Sequence, residues 1–126
     1  MIKVSIIEDD IQLRNHLIHL LNEHEEICCI AGYSTCEEAL KNIAADPPDI
    51  VLMDIELPGM SGVEGTYIIK HKWPQIEILM LTIHEDNESV FRSLQNGASG
   101  YLVKNIDPDE LIQSIKEVID GGAPMS

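Results

Sequence analysis

Basic residues are scarce in this sequence. Lysine and arginine total 8, whereas aspartate and glutamate total 22, and the formal net charge is −14. Proteins that grip nucleic acid need a positive face for the phosphates, and the few basic residues here are scattered rather than clustered. We therefore expect no direct nucleic-acid contact by this chain. A cation, or a cationic protein surface, is the more natural ligand.

Cysteine is also rare. The three cysteines, Cys28, Cys29 and Cys36, are odd in number and form no C-x-x-C pair. This pattern predicts neither a disulfide framework nor a zinc site. We expect the three thiols to fill space in or near the core, as free cysteines do.

Long apolar runs are absent as well. No stretch is long enough to cross a bilayer, and the opening MIKVSII is too short and too soon followed by acidic residues to be a signal peptide. We expect a cytoplasmic protein without membrane contact. At 126 residues, 44% of them hydrophobic, the chain can bury one core but not two.

Short apolar runs alternate with helix-period stretches along the whole chain. Five strands alternating with five helices predict a doubly wound α/β fold, (βα)5 and flavodoxin-like, with a five-stranded parallel sheet in the strand order 2-1-3-4-5. The runs that predict the strands are Ile2–Ile7, Ile27–Tyr33, Ile50–Met53, Ile76–Leu81 and Gly100–Val103.

Several helix starts carry capping signals. Thr35 and Ser61 each precede a glutamate by three residues, which is a capping box, and Asp107 stands just before Pro108. In the fourth helix, Val90, Phe91 and Leu94 are expected to face the core.

Four of the five predicted strands end at polar residues that can do chemistry. Since the carboxyl ends of parallel strands share one edge of the sheet, where ligands bind, we expect these side chains to converge. Gathered carboxylates favour a hard divalent cation, Mg²⁺ above all, and a hydroxyl and an ammonium opposite them suit phosphoryl oxygens. Asp54 would then be the nucleophile. The strand-end residues are Glu8, Asp9, Asp54, Thr82 and Lys104.

Four motifs together resemble the receiver domain of bacterial response regulators: IIEDD, MDIELPGMSG, the threonine that ends LMLT, and GYLVK. They occur in the family's order and span essentially the whole chain. The resemblance implies that Asp54 accepts a phosphoryl group from a phosphohistidine on a sensor histidine kinase. It also implies a phosphoacceptor switch rather than an enzyme, with at most self-phosphotransfer and autodephosphorylation.

The same resemblance assigns roles to the other site residues. Glu8, Asp9 and Asp54 would hold Mg²⁺, with the backbone carbonyl of Glu56 as a further ligand. Thr82 and Lys104 would read the phosphorylated state. Tyr101 matches the aromatic position that swings inward with Thr82.

Two departures narrow the resemblance. Asn105 follows the lysine where most receivers carry proline, often in a cis bond, so no cis peptide is predicted. The K-N pair and the following DPDELIQSIKEVIDGGAPMS resemble the NarL-type subfamily, in which the receiver precedes a LuxR-type helix-turn-helix DNA-binding domain.

Glu56 and His84, at positions where the family varies, are expected to tune the lifetime of the phosphoryl group.

The resemblance also sets the expected domain organisation. We expect a receiver domain over residues 1–120 and, at 121–126, the start of a linker to an output domain, as in a chain truncated before that domain. The expected partners are the kinase, the output domain and a second copy in a homodimer.

Three alternatives remain open on the sequence. Asp54 and Glu56 could imitate the D-x-D pair of haloacid-dehalogenase-like phosphatases, although there the nucleophile follows the first strand. A flavodoxin would share the fold, but Glu8, Asp9 and Asp10 would repel a flavin phosphate from the first loop. A receiver that works as a protein-interaction module without phosphorylation is the third.

Overall fold

The computed structural model describes residues 1–83 and 88–125. Strands and helices alternate in it as the sequence predicts. Their bounds are β1 Ile2–Ile7, α1 Ile11–Asn22, β2 Ile27–Tyr33, α2 Cys36–Asn42 with a 3-10 turn at Ile43–Ala45, β3 Ile50–Asp54, α3 Gly62–Lys72, β4 Glu77–Thr82, α4 Glu88–Gln95, β5 Gly100–Val103 and α5 Pro108–Ile119.

The five strands form one parallel sheet in the order β2-β1-β3-β4-β5, which confirms the predicted fold and strand order. β3 is buried along its whole length, as expected of a central strand covered on both faces. Asp54 pairs in register with Leu81, and Thr82 pairs with Val103. The strand ends that carry chemistry are therefore level at one edge of the sheet.

Two apolar cores lie on opposite faces of the sheet. Ile50 and Leu52 point into the core that α1 and α5 cover, and Val51 and Met53 point into the core under α2, α3 and α4. This alternation is the period-two signature of a strand. Helices thus cover both faces of the sheet.

Capping residues begin the helices as predicted. Thr35 and Ser61 accept hydrogen bonds from the backbone N–H groups of Glu38 and Glu64, and Asp107 accepts one from Asp109. In α4 the expected core face is partly wrong. Val90 is buried, but the Phe91 side chain is 61% exposed.

None of the helices in the described part of the chain is both long and apolar enough to span a membrane.

Candidate functional site

Three carboxylates meet at the carboxyl edge of the sheet. Glu8 follows β1 and is fully buried, Asp54 ends β3 and is 2% exposed, and Asp9 is exposed. One carboxylate oxygen from each lies within 4.8 Å of the others. Like charges this close repel one another, so the cluster needs cationic partners.

The acidic residues in the loop after β1 have two structural roles, one as a helix cap and the other in the carboxylate cluster. Asp10 is the N-cap of α1, because its carboxylate accepts hydrogen bonds from the N–H groups of Gln12 and Leu13. The Glu8 carboxylate in turn accepts a hydrogen bond from the N–H of Asp10 at 3.0 Å. Asp9, between them, is left to face the cleft.

Arg14 supports this loop, although the sequence analysis missed it. Its Nη1 donates a hydrogen bond to the backbone carbonyl of Glu8 at 2.6 Å. The signal in the sequence is weak, since it consists only of a basic residue one helical turn after the cap Asp10. Arg14 thereby fixes the backbone from which Glu8 and Asp9 project.

Lys104 bridges two of the carboxylates. Its Nζ lies 3.0 Å from Glu8 Oε1 and 3.1 Å from Asp54 Oδ1. The backbone N–H of Lys104 donates to the carbonyl of Thr82 at 2.8 Å, which continues the pairing of β4 with β5. Burial alone would lower the pKa of Lys104, but the carboxylates of Glu8 and Asp54 outweigh burial and raise it.

Asp54 sits in an unfavourable environment for a negative charge. Burial, followed by the repulsion of the Glu8 carboxylate, raises the pKa of Asp54 from its ordinary 3.8 to about 7, although Lys104 acts in the opposite direction. A cation placed beside this carboxylate would therefore stabilise its ionised form.

The donor set fits a hard divalent cation. All three side chains offer oxygen, the ligand atom that Mg²⁺ prefers. Glu8 Oε1 is buried, and apart from its ion pair with Lys104 it has no hydrogen-bond partner among the described residues. A buried carboxylate oxygen with unused acceptor capacity is where a cation would find a ligand.

A small cleft of about 120 Å³ opens over these groups. Thr82, at the end of β4, and Glu56 both line this cleft. The backbone N–H of Glu56 donates a hydrogen bond to Asp54 Oδ1 at 3.2 Å. The structure thus brings together all but one of the residues singled out in the sequence for the site and its switch. The full lining is Glu8, Asp9, Asp10, Asp54, Ile55, Glu56, Thr82, Ile83 and Lys104.

The exception is Tyr101, which does not line the cleft. It lies in β5, half-buried, and packs against the core under α2, α3 and α4. His84 lies outside the described residues. The peptide bond between Lys104 and Asn105 is trans.

Gly62 allows the loop after β3 to return tightly to the site. A Cβ at this position would lie 2.1 Å from the backbone oxygen of Asp54, closer than any side chain permits. The N–H of Gly62 donates to the carbonyl of Ile55 at 2.8 Å, which closes the loop. Glycine here is therefore a requirement of the backbone that carries Asp54.

Fold and site together define an α/β protein of flavodoxin-like architecture whose ligand-binding edge is acidic and carries a paired lysine. Comparison with known families makes this assignment specific. Residues 4–116 match the family described as the response regulator receiver domain, and the chain belongs to that family.

The relatives are transcriptional response regulators. The chain is 39% identical over 122 residues to the transcriptional regulatory protein LnrK of Bacillus subtilis (strain 168), covering 97% of this chain and 56% of LnrK. It is 37% identical to DegU of Brevibacillus brevis, covering 97% of this chain and 52% of DegU. The chain thus spans about half the length of the curated relatives it matches.

Solved structures agree with the subfamily resemblance. A LuxR-family two-component response regulator from Aurantimonas sp. SI85-9A1 matches with a TM-score of 0.92 and 29% identity, over 99% of this chain and 90% of that one. A LuxR-family DNA-binding response regulator from Staphylococcus aureus matches with a TM-score of 0.87 and 27% identity, over 94% and 99%. The phosphatase and flavodoxin alternatives are not favoured.

Proposed function

We propose that this chain is the phosphoacceptor of a two-component signalling pair, with Asp54 receiving the phosphoryl group from a phosphohistidine of a sensor histidine kinase. The observation that supports this most is the pairing of Asp54 with Lys104 at 3.1 Å beside the Glu8 and Asp9 carboxylates. A nucleophilic carboxylate, a cation site and a phosphate-binding ammonium then share one cleft.

In the proposed reaction, an oxygen of the Asp54 carboxylate attacks phosphorus as the bond from phosphorus to the histidine nitrogen breaks. The product is an acyl phosphate on Asp54. Lys104 Nζ and the Thr82 hydroxyl bind the transferred phosphoryl oxygens. Glu8, Asp9, Asp54 and the Glu56 backbone carbonyl would hold Mg²⁺, which would supply positive charge beside the phosphoryl group and the clustered carboxylates.

The reaction serves as a switch rather than as turnover of a substrate, so the only catalysis proposed is self-phosphotransfer and autodephosphorylation. Thr82 moves toward the new phosphoryl group and Tyr101 follows it inward. The face formed by α4, β5 and α5 changes shape as a result. Glu56 and His84 set how long the phosphoryl group survives.

The output of the switch belongs to a further domain. We place the receiver at residues 1–120 and the start of a linker at 121–126, leading to a LuxR-type helix-turn-helix DNA-binding domain in the full-length protein. The proposed setting is the cytoplasm, and the proposed partners are the kinase, the output domain and a second copy in a homodimer. This segment itself makes no contact with nucleic acid.

The test is the intact mass of the purified chain after incubation with acetyl phosphate, with and without Mg²⁺. We expect a Mg²⁺-dependent gain of one phosphoryl group that Asp54→Ala abolishes. Glu25→Gln is the matched control, because it neutralises an exposed carboxylate that does not line the cleft. Unchanged mass in correctly folded protein under every condition would refute the proposal and favour a receiver that works by protein contacts alone.

A further inference from the structure

The chain does not leave the domain freely after α5. The N–H groups of Gly121 and Gly122 donate to the carbonyls of Val118 and Glu117 at 3.0 and 2.8 Å, and Gly121 has φ +96°. These two bonds form the motif that closes a helix and reverses the chain in a fixed direction. Residues 121 and 122 therefore turn the backbone back toward the sheet.

Residues 123–125, called here the C-terminal segment, lie along the outer edge of β5. The N–H of Tyr101 donates to the carbonyl of Pro124 at 2.9 Å, and Tyr101 forms a parallel bridge with Met125. β5 is an edge strand of the sheet, so no neighbouring strand accepts a hydrogen bond from this outward-facing N–H. The segment thus covers an edge that would otherwise be open.

Gly100 makes the close approach possible. A Cβ on residue 100 would lie 2.2 Å from the backbone oxygen of Pro124. The two backbone stretches could not keep their present spacing with any other residue there. The absence of a side chain at Gly100 therefore lets the backbone of the C-terminal segment approach β5 closely.

We propose that the docking of the C-terminal segment on β5 depends on the state of Asp54, an inference that rests on the proposed function. Few residues separate Asp54 from the segment. Asp54 forms an ion pair with Lys104, which directly follows β5. Tyr101 of β5 in turn donates a hydrogen bond to the segment. A phosphoryl group on Asp54 carries close to two negative charges and competes with Glu8 for Lys104. The end of β5 is drawn inward, away from the segment, and the segment loosens.

Amide hydrogen exchange, followed by NMR on the 126-residue chain, tests the docking. We expect the Tyr101 amide to exchange at least about tenfold faster in Gly100→Ala and in a chain ending at Gly122. The amides of Ser99 and Lys104 donate to β4 and should keep their protection, which shows that the fold is intact.

Gly32→Ala is the matched control for this experiment. It makes the same substitution on the opposite edge strand, where the new Cβ meets no backbone atom but two flexible side chains, Ile18 at 2.9 Å and Arg14 at 3.4 Å. Exchange at Tyr101 should not change in it. Equal Tyr101 exchange in the native, Gly100→Ala and shortened chains would overturn the docking.

Beryllofluoride with Mg²⁺, a stable analogue of the acyl phosphate, tests the dependence on Asp54. We expect amide shifts at Ile55 and Glu56, together with exchange at Tyr101 that is at least about threefold faster, and neither in Asp54→Ala. Shifts at Ile55 and Glu56 without any change at Tyr101 or Met125 would overturn the coupling and leave the proposed function standing. No shift at Ile55 and Glu56 would count against the proposed function itself.

Discussion

At the scale of single residues, the buried charges of the site do not cancel when both acids are ionised. The carboxylates of Glu8 and Asp54 share the ammonium group of Lys104, so the buried set carries one negative charge too many when both acids are ionised. Such an arrangement costs stability in the metal-free protein and is retained where function needs it.

Replacing Asp54 by asparagine should therefore stabilise the metal-free protein. The raised pKa of Asp54, about 7 against 3.8 in an unfolded chain, means that the native state binds more protons than the unfolded state between these values. Native stability then falls as pH rises through that window, and asparagine escapes the loss. We expect Asp54→Asn to gain roughly 1 kcal/mol in free energy of unfolding at pH 8.

Urea denaturation in the presence of a chelator measures this gain. The advantage of Asp54→Asn should shrink when the same curves are recorded near pH 4. Glu25→Gln, which neutralises an exposed carboxylate, serves as the control and should change little at either pH. A variant less stable than the native chain at pH 8 would contradict this balance of charges.

Cys36 gives a second prediction at the residue scale. Its side chain is fully buried, and burial raises the pKa of the thiol to about 12, with nearby carboxylates adding to the effect. Since the thiolate is the reactive form, Cys36 should resist iodoacetamide at pH 8 in native protein and react readily in urea. Peptide mass mapping after timed labelling would show this, with the half-buried Cys28 as the internal comparison. Equal native labelling rates would be inconsistent with the burial of Cys36.

At the scale of the structural elements, the loop from β3 to α3 is tightly constrained at Gly62. Gly62→Ala places a methyl group against the Asp54 backbone oxygen, so the loop must move and the Asp54 carboxylate with it. We expect a loss of more than about 1 kcal/mol of stability, and weaker Mg²⁺ binding as well. Thermal unfolding and a Mg²⁺ titration would measure the two effects. Native-like behaviour in both would show that the loop is looser than the close approach implies.

Sequence patterning specified the elements well because the apolar runs coincide with the strands to within one residue at each end. β1, β2 and β5 have the predicted bounds, and β3 and β4 end one residue later than predicted, at Asp54 and Thr82. β4 begins at Glu77 because the Ile76 N–H is used in a turn with Trp73. The convergence of the strand-end residues followed from parallel topology alone.

Other features depend on tertiary contacts that no local pattern encodes. Arg14 reaches the Glu8 carbonyl across the start of α1, and its spacing alone does not reveal this. Phe91 is apolar but lies about a quarter-turn from Val90, on the solvent side of α4. The run GGAPMS predicts the start of a linker, and no local pattern in it reveals that Pro124 lies against Gly100 of β5.

At the scale of the whole molecule, the acidic surface and the carboxylate cluster should differ in which cations they attract. The net charge of −14 is screened by any salt, whereas the cleft should select a divalent ion. A ligand that binds only the native state at a hundredfold excess over its Kd stabilises it by about 2.7 kcal/mol.

Mg²⁺ should therefore raise the Tm by several degrees beyond the effect of NaCl at equal ionic strength. The extra shift should disappear with a chelator and be largely lost in Asp54→Asn. Differential scanning calorimetry at matched ionic strength measures it. Identical shifts from the two salts would mean that the cluster binds no specific cation.

The central claim is that Asp54 itself becomes the acyl phosphate, and chemical trapping tests it most directly. Borohydride reduces an acyl phosphate to an alcohol on the residue that carried it, and fragmentation mass spectrometry then locates that residue in the chain phosphorylated with Mg²⁺. We expect the alcohol at Asp54 and at none of the other acids that line the cleft, Glu8, Asp9, Asp10 and Glu56. An alcohol at one of those residues, or phosphoryl transfer that leaves Asp54 intact, would contradict the account.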